Sequence, residues 1–289
     1  VLVGFPGQYA VLLAKLFSSA PVVLDMFTSH YEGYVFDRKT TAPASFRAKW
    51  YKWIDRTAVK LANNVLLDTQ NHINAISHLL GISTDKFRYI FVGTDSDIFH
   101  PTQHKNKGVF KVHFHGNYIP LQGVEYIIRV AKLLEGEQIK FRLVGRGQTY
   151  EQDRALADSL GLKNIEFMPR GPYEKLPILM GDSDVCLGIF GMTPKSAQVI
   201  PNKVYEALAC GRAVITADTL AARELLIHKE NAFLCRAGDP QSIAEAILAL
   251  KNDPDLRLKI SQAGLELFKR KLTEDQLGKQ LILILQDTI

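Results

Sequence analysis

The chain of 289 residues is poor in several things, and each shortage excludes a class of protein. It has three cysteines, Cys186, Cys210 and Cys235, far apart and each inside an apolar run. An odd, scattered set supports neither a disulfide framework nor a zinc site, and reads as reduced core thiols in a reducing compartment. No apolar run approaches the ~20 residues of a membrane-spanning helix, and no leader pattern is visible, so a cytoplasmic location is expected. Internal repeats and low-complexity tracts are lacking. So is an initiating methionine: the chain begins "VLVGFPGQ", as though already inside a strand, which reads as an amino-terminal truncation. Acidic residues are in mild deficit, 30 against 35 basic ones, for a net charge of +5. That balance suits an anionic partner such as a phosphorylated small molecule, a nucleic acid or an acidic membrane. The cationic residues are scattered, without a recognition motif, so nucleic acid is not expected.

What the chain does have is regular alternation. Apolar runs of strand length alternate with segments of helical period, the pattern of parallel βαβ units, and the length suits two domains. In the first part, strands are expected at 1–5, 21–27, 65–68 and 87–93, with helices at 8–20, 45–64 and 71–81. The polar stretch "TDSDIFHPTQHKNKG" (94–108) reads as a linker. The second part restarts with strand 109–116 and continues through strands at 139–145, 165–169, 184–190, 213–216 and 232–235. Helices are expected between them at 122–135, 149–160, 174–181, 202–210 and 221–227. Three more helices, 240–251, 254–269 and 273–287, finish the chain. The fold class is therefore α/β with two Rossmann-like parallel-sheet domains, the first incomplete. The expected division is 1–98, 99–270, and a last helix, 271–289, packing back toward the first domain.

Three turns fall at the carboxyl edge of the second sheet, where such sheets bind ligands. "VGRGQTY" follows a strand and opens a helix, yet Tyr150 replaces the third glycine and no acidic residue ends a following strand, so a dehydrogenase site is not indicated. "HGNYIPLQG" is a glycine turn running into a helix, where free N–H groups can seat an anion. The third, "VIPNKVYEALACG", has Pro201 stiffening the entry to a small apolar helix that Gly211 ends. Lys203 and Glu206 are its unexplained charges. Three apart, they share a helix face. Either they form a surface ion pair, or the carboxylate takes a ribose diol while the ammonium faces phosphate.

Taken together, "TPKSAQVIPNKVYEALACGRAVITAD", "FHGNYIPLQGVEYIIRVAKLL", "FRLVGRGQTY" and "VLLDTQNHINAISHLLG" resemble the group 1 (family 4) retaining glycosyltransferases of GT-B fold, in order and at similar intervals along nearly the whole chain. The resemblance implies transfer of a hexosyl group, with retention, from a nucleoside diphosphate sugar to the hydroxyl of a carbohydrate or lipid-linked acceptor, as in polysaccharide biosynthesis. It implies no metal and no cofactor. It places Glu206 on the donor ribose, Gly116, Val199, Ile200, Pro201 and Asn202 near the diphosphate and sugar, Arg146 and Gly147 beside the nucleotide, and Arg170 near the base. Three positions depart from the family. Gln198 stands where the first glutamate of the E-x7-E motif belongs, and Asn117 and Gln122 replace the usual diphosphate-binding cations. Lys203, Lys195 and Arg212 are the candidates to compensate. Those departures leave open a second reading, a nucleotide-sugar-binding module without transferase activity.

On the first-domain side, "DMFTSHYE" offers Asp25 and His30 as candidate catalytic residues. The helix around "FRAKWYKWIDR" carries Trp50 and Trp53 at a spacing that suits core burial. The alternative is peripheral contact with an anionic membrane, with lysines snorkelling beside the rings.

Overall fold

The computed structural model describes residues 1–102 and 108–288. Residues 103–107 of the expected linker lie outside the described residues. The first domain is built from β1 (Leu2–Val3), α1 (Gln8–Phe17), β2 (Val23–Asp25), α2 (Phe46–Leu61), β3 (Asn64–Leu67), α3 (Gln70–Leu80) and β4 (Phe87–Tyr89). Its sheet runs β1-β2-β3-β4, parallel throughout. All four residues of β3 are buried, as expected of a parallel strand covered on both faces.

The second domain comprises β5 (Phe110–His115), α4 (Val124–Leu133), β6 (Ile139–Val144), α5 (Tyr150–Ser159), β7 (Ile165–Met168), α6 (Leu176–Gly181), β8 (Val185–Leu187), α7 (Asn202–Ala209), β9 (Ala213–Ala217), α8 (Leu220–Arg223), β10 (Phe233–Cys235), α9 (Pro240–Asn252) and α10 (Pro254–Lys271). Its six parallel strands lie in the order β10-β9-β8-β5-β6-β7, so the winding reverses between β5 and β8. One face of this sheet is covered by α4 and α9 through Ile127, Ile128, Ile243 and Ile247, the other by α7 and α10 through Val204, Leu208 and Phe268. The three cysteines are free and buried in these layers.

A last helix, α11 (Glu274–Gln286), lays Ile284 against Val23 and Leu66 of the first sheet. The domains also meet at the start of α3. There the Glu224 carboxylate of the second domain accepts the backbone N–H groups of Gln70 and Asn71, both at 2.7 Å. Thr69, the N-cap of α3, donates its hydroxyl to the Gln198 carbonyl at 2.6 Å.

Several local expectations change. The strand expected over 184–190 is regular only at 185–187, because the Phe190 N–H turns to the Gln122 carbonyl instead of a neighbouring strand. The stretch between β2 and α2 contains a single wide helical turn, Glu32–Asp37, that no periodicity announces. Trp50 and Trp53 are 43% and 52% exposed, with rings stacked 5.0 Å apart, so the core-burial reading fails. The buried stripe of α2 is Ala48, Tyr51, Ile54, Asp55, Ala58 and Val59, a face that leaves both indoles outside. Among the described residues, no helix is long and apolar enough to cross a membrane.

Candidate functional site

A cavity of about 590 Å³ opens between the domains at the carboxyl edge of the second sheet, beside the β5/β8 reversal. Doubly wound sheets place their ligands at such a switch point. Of the sequence-predicted residues, Gly116, Asn117, Gln122, Arg170, Lys195, Val199, Ile200, Pro201, Asn202, Lys203 and Glu206 line it.

Its second-domain wall follows from backbone geometry. Gly116 has φ 152°, and the turn it begins is laid against the β6 turn by bonds from the Gly116 N–H to the Val144 carbonyl and from the Tyr118 N–H to the Arg146 carbonyl, both 3.0 Å. A Cβ at Gly147 would lie 2.5 Å from the Tyr118 carbonyl oxygen. The two glycines of "VGRG" therefore allow this close approach, and Gly147 supports the cavity from outside. Arg146 also stays outside, 64% exposed at its side chain and stacked over Tyr150 at 4.5 Å. α7 begins after Pro201 without any side-chain cap, so first-turn N–H groups are left for a ligand.

The two charges of α7 are both buried and both line the cavity, which removes the surface ion-pair reading. Glu206 is held by two partners: His115 Nε2 at 2.5 Å on one oxygen and the Tyr173 hydroxyl at 2.8 Å on the other. Burial acts to raise its pKa, but the hydrogen bonds from His115 and Tyr173, with Lys203 nearby, outweigh it and hold the carboxyl below its ordinary range. His115 Nδ1 in turn lies 3.0 Å from His113 Nε2. Burial drives His113 well below the usual histidine range, so it is neutral, and its Nδ1 is buried with no partner among the described residues. An unpaired N–H is costlier to bury than an unpaired lone pair. The proton therefore belongs on His113 Nε2, which donates to His115, which donates to Glu206.

Lys203 does not pair with Glu206. Its ammonium bonds the Gln122 side-chain oxygen and lies 4.6 Å from the centre of the Phe114 ring. Burial pushes its pKa down to about 7, only partly offset by the Glu206 charge. Asn117 likewise accepts from the Arg170 guanidinium. At the two positions where the resemblance leads one to expect diphosphate-binding cations, this chain has amides, and each amide holds a cation, Arg170 or Lys203, supplied from elsewhere in the same domain. Lys195 is spent differently, bonding Thr28 and pairing with Asp37 at 3.2 Å across the cleft. Arg212 does not line the cavity; it donates to the Thr102 carbonyl at 3.1 Å. The Gln198 side chain is also outside, while its carbonyl joins the domains through Thr69.

The first-domain wall consists of Phe27, Asp37 and Asp68, none of them foreseen. His30 is not part of it: its ring is 3.1 Å from Asp55, which also accepts the N–H groups of His30 and Tyr31. Asp25 faces a separate, smaller cavity. Behind the wall, buried His72 bridges Asp68, 2.5 Å from Nδ1, and Glu32, 3.0 Å from Nε2. Burial opposes its charge, but the two carboxylates raise its pKa to about 9, so it is an imidazolium at neutral pH. The one available signal was the Asp68/His72 spacing of four, an aspartate just ahead of the N-cap Thr69 and a histidine in the first turn of α3. Among the described residues no group of three or more His, Cys, Asp or Glu side chains could hold a metal ion.

Residues 95–267 match the family model described as Glycosyl transferases group 1. The chain is 24% identical over 181 residues to an uncharacterized glycosyltransferase of Methanocaldococcus jannaschii, a match covering 63% of this chain and 48% of that one. It is 29% identical over 177 residues to the putative colanic acid biosynthesis glycosyl transferase of Escherichia coli K12, covering 58% and 41%. The chain spans about half the length of the curated relatives it matches. Among solved structures, Anabaena HepE in complex with UDP and glucose superposes with a TM-score of 0.79 at 19% identity, over 99% of this chain and 77% of that one. The fold is thus that of the GT-B glycosyltransferases. With more than half its length matched by the family model, the chain belongs to the group 1 glycosyltransferases.

Proposed function

We propose that the cavity binds a nucleoside diphosphate sugar, and that the protein transfers its hexosyl group, with retention, to an acceptor hydroxyl. The observation that carries this reading is Glu206, a buried carboxylate fixed by His115 and Tyr173 beside the uncapped amino terminus of α7. A carboxylate so held keeps lone pairs for the two hydroxyls of a ribose. The diphosphate then lies along the Gly116 turn and the first-turn N–H groups of α7, with Arg170 and Lys203 supplying positive charge. No metal is required in this scheme: preorganised N–H groups and cations meet the charge that develops on the leaving diphosphate, a contribution of several kcal/mol. In this scheme Arg170, Gly171 and Tyr173, which line the cavity, border the nucleotide.

HepE, which shares the fold, holds UDP, and this makes UDP the first nucleotide to test. A thermal-shift panel of UDP, GDP, ADP and CDP should single out one nucleotide, since binding at 100 times Kd stabilises the folded form by about 2.7 kcal/mol. For that nucleotide, Glu206→Ala should weaken calorimetric affinity about 10- to 100-fold, because the ribose loses hydrogen bonds to a charged group. An unchanged Kd would refute the ribose assignment.

Gln198, Asn117 and Gln122 favour one competing reading, a binding module; affinity without turnover against a donor panel would establish it. We also propose a lipid-linked or carbohydrate acceptor reached at a membrane surface. The exposed Trp50 and Trp53, beside exposed Lys49 and Lys52, support peripheral contact with anionic lipid. Flotation with phosphatidylglycerol vesicles should fall severalfold in Trp50→Ala/Trp53→Ala, and equal flotation of both proteins would end that proposal.

A further inference from the structure

The smaller cavity has no place in the donor scheme. It measures about 260 Å³ and lies between the carboxyl edge of the first sheet and α11. Asp25 and Asp68 are the only charged residues among the twelve that line it; the others are apolar side chains and one glycine, Gly278. Phe27 and Asp68 also line the donor cavity, so the two spaces share a boundary.

That boundary is unusual in two respects. Phe27 has φ 50°, a backbone region that a bulky side chain occupies only when its surroundings impose it, and such residues gather at functional sites. Its ring packs edge-on against Phe5 at 5.3 Å. Asp68, beside it, is held in place by the His72 imidazolium. An aromatic partition and an oriented carboxylate therefore separate a polar, charge-rich chamber from an apolar one. Asp25, at the apolar end, has its pKa raised by burial, consistent with surroundings that contain little water.

We propose that the smaller cavity is an acceptor subsite that takes the aliphatic or aromatic portion of an amphiphilic acceptor, while the acceptor's hydroxyl-bearing end passes Phe27 and Asp68 toward the donor. Asp68 is then a positioning residue that accepts a hydrogen bond from an acceptor hydroxyl, and Asp25 borders the apolar moiety without touching the donor. The assignment of this moiety to an acceptor rests on the donor reading above; the affinity of the cavity for an apolar group does not.

Gly278 provides a test that preserves the fold. A Cβ built on it meets no atom within 4 Å, and inside α11 glycine is the weaker helix former, so a side chain can start from this lining position without displacing a neighbour, and Gly278→Leu adds apolar bulk at the cavity wall. The probes are methyl, butyl and hexyl β-D-glucopyranoside, titrated by calorimetry without nucleotide. In the wild-type protein, affinity should rise about fourfold per methylene over the first few carbons, the equivalent of ~0.8 kcal/mol each. In Gly278→Leu, that rise should vanish while the Tm and the nucleotide thermal shift stay at wild-type values or above. A flat series in the wild type, or a rise that persists in Gly278→Leu, would overturn the proposal. A chain-length series that Gly278→Leu abolishes, with no nucleotide response in either protein, would keep the apolar subsite and discard the donor reading. A nucleotide response with a flat series would do the reverse.

Discussion

The two walls of the cleft bury similar charges and neutralise them in opposite ways. On the first-domain wall, Glu32 and Asp68 share a protonated His72, and Asp37 takes Lys195 from across the cleft. On the second-domain wall, Glu206 is held by a histidine and a tyrosine, and Lys203 by an amide oxygen and a ring face. The charges of the first wall already have ionic partners, one of them, Lys195, reaching over from the other domain. The second is left short of opposite charge, with a lysine that burial has brought close to neutrality. A wall of that kind gains most from an anionic ligand, because the ligand supplies what the fold withholds.

The largest test of this contrast is His72→Ala. It strands two buried carboxylates, and loss of one partner from a buried ion pair typically costs about 3–5 kcal/mol. Urea denaturation at pH 7 should show a loss of that size, and a loss under 1 kcal/mol would mean that the first wall is not held by its imidazolium.

The pH dependence of stability should separate the walls by sign. His72 is raised from 6.5 to about 9, so its contribution is complete below pH 6.5 and is lost as pH rises through about 9. Lys203 is lowered from 10.5 to about 7, so between those values the unfolded chain holds a proton that the folded one lacks, and stability grows as pH rises through that window. Between pH 7 and 9 the two trends oppose each other in the wild-type protein. Lys203→Met should unmask a decline and His72→Gln a rise, each roughly 2 kcal/mol by denaturant titration, given ~1.4 kcal/mol per pH unit for one proton. Slopes of the same sign in both variants would contradict the assignment.

The smallest effect expected is that of Tyr173→Phe. It removes one of the two bonds that orient Glu206, worth about 1 kcal/mol, and donor affinity should fall about fivefold by calorimetry. An unaltered Kd would show that His115 alone orients the carboxylate.

The contrast between the walls also explains what could be read from the sequence. The second wall comes largely from one continuous stretch, Val199 to Glu206, and one turn at Gly116, so local pattern was enough to gather its residues. Alternation of apolar strands and periodic helices likewise revealed both sheets. The first wall joins residues 27, 37 and 68, backed by 32 and 72, which meet because β2 pairs with β3 and the wide turn Glu32–Asp37 folds over them. A choice confined to "DMFTSHYE" fell on Asp25 and His30. The strand end carries Asp25 toward α11, and Asp55, 25 residues further on, ties up His30. Lys203 shows the same limit. Its position on the cavity was legible, whereas the burial that depresses its pKa, and the Phe114 ring and Gln122 oxygen it meets there, come from parts of the fold far away in the chain.

The bonds from the Gln70 and Asn71 amides to Glu224 have a practical consequence. These two protons belong to one domain and their acceptor to the other, so they exchange with solvent slowly only while the domains stay together. Their exchange rates serve as a built-in gauge of cleft opening, readable without label or ligand, and any molecule that draws the domains together or apart will register there first.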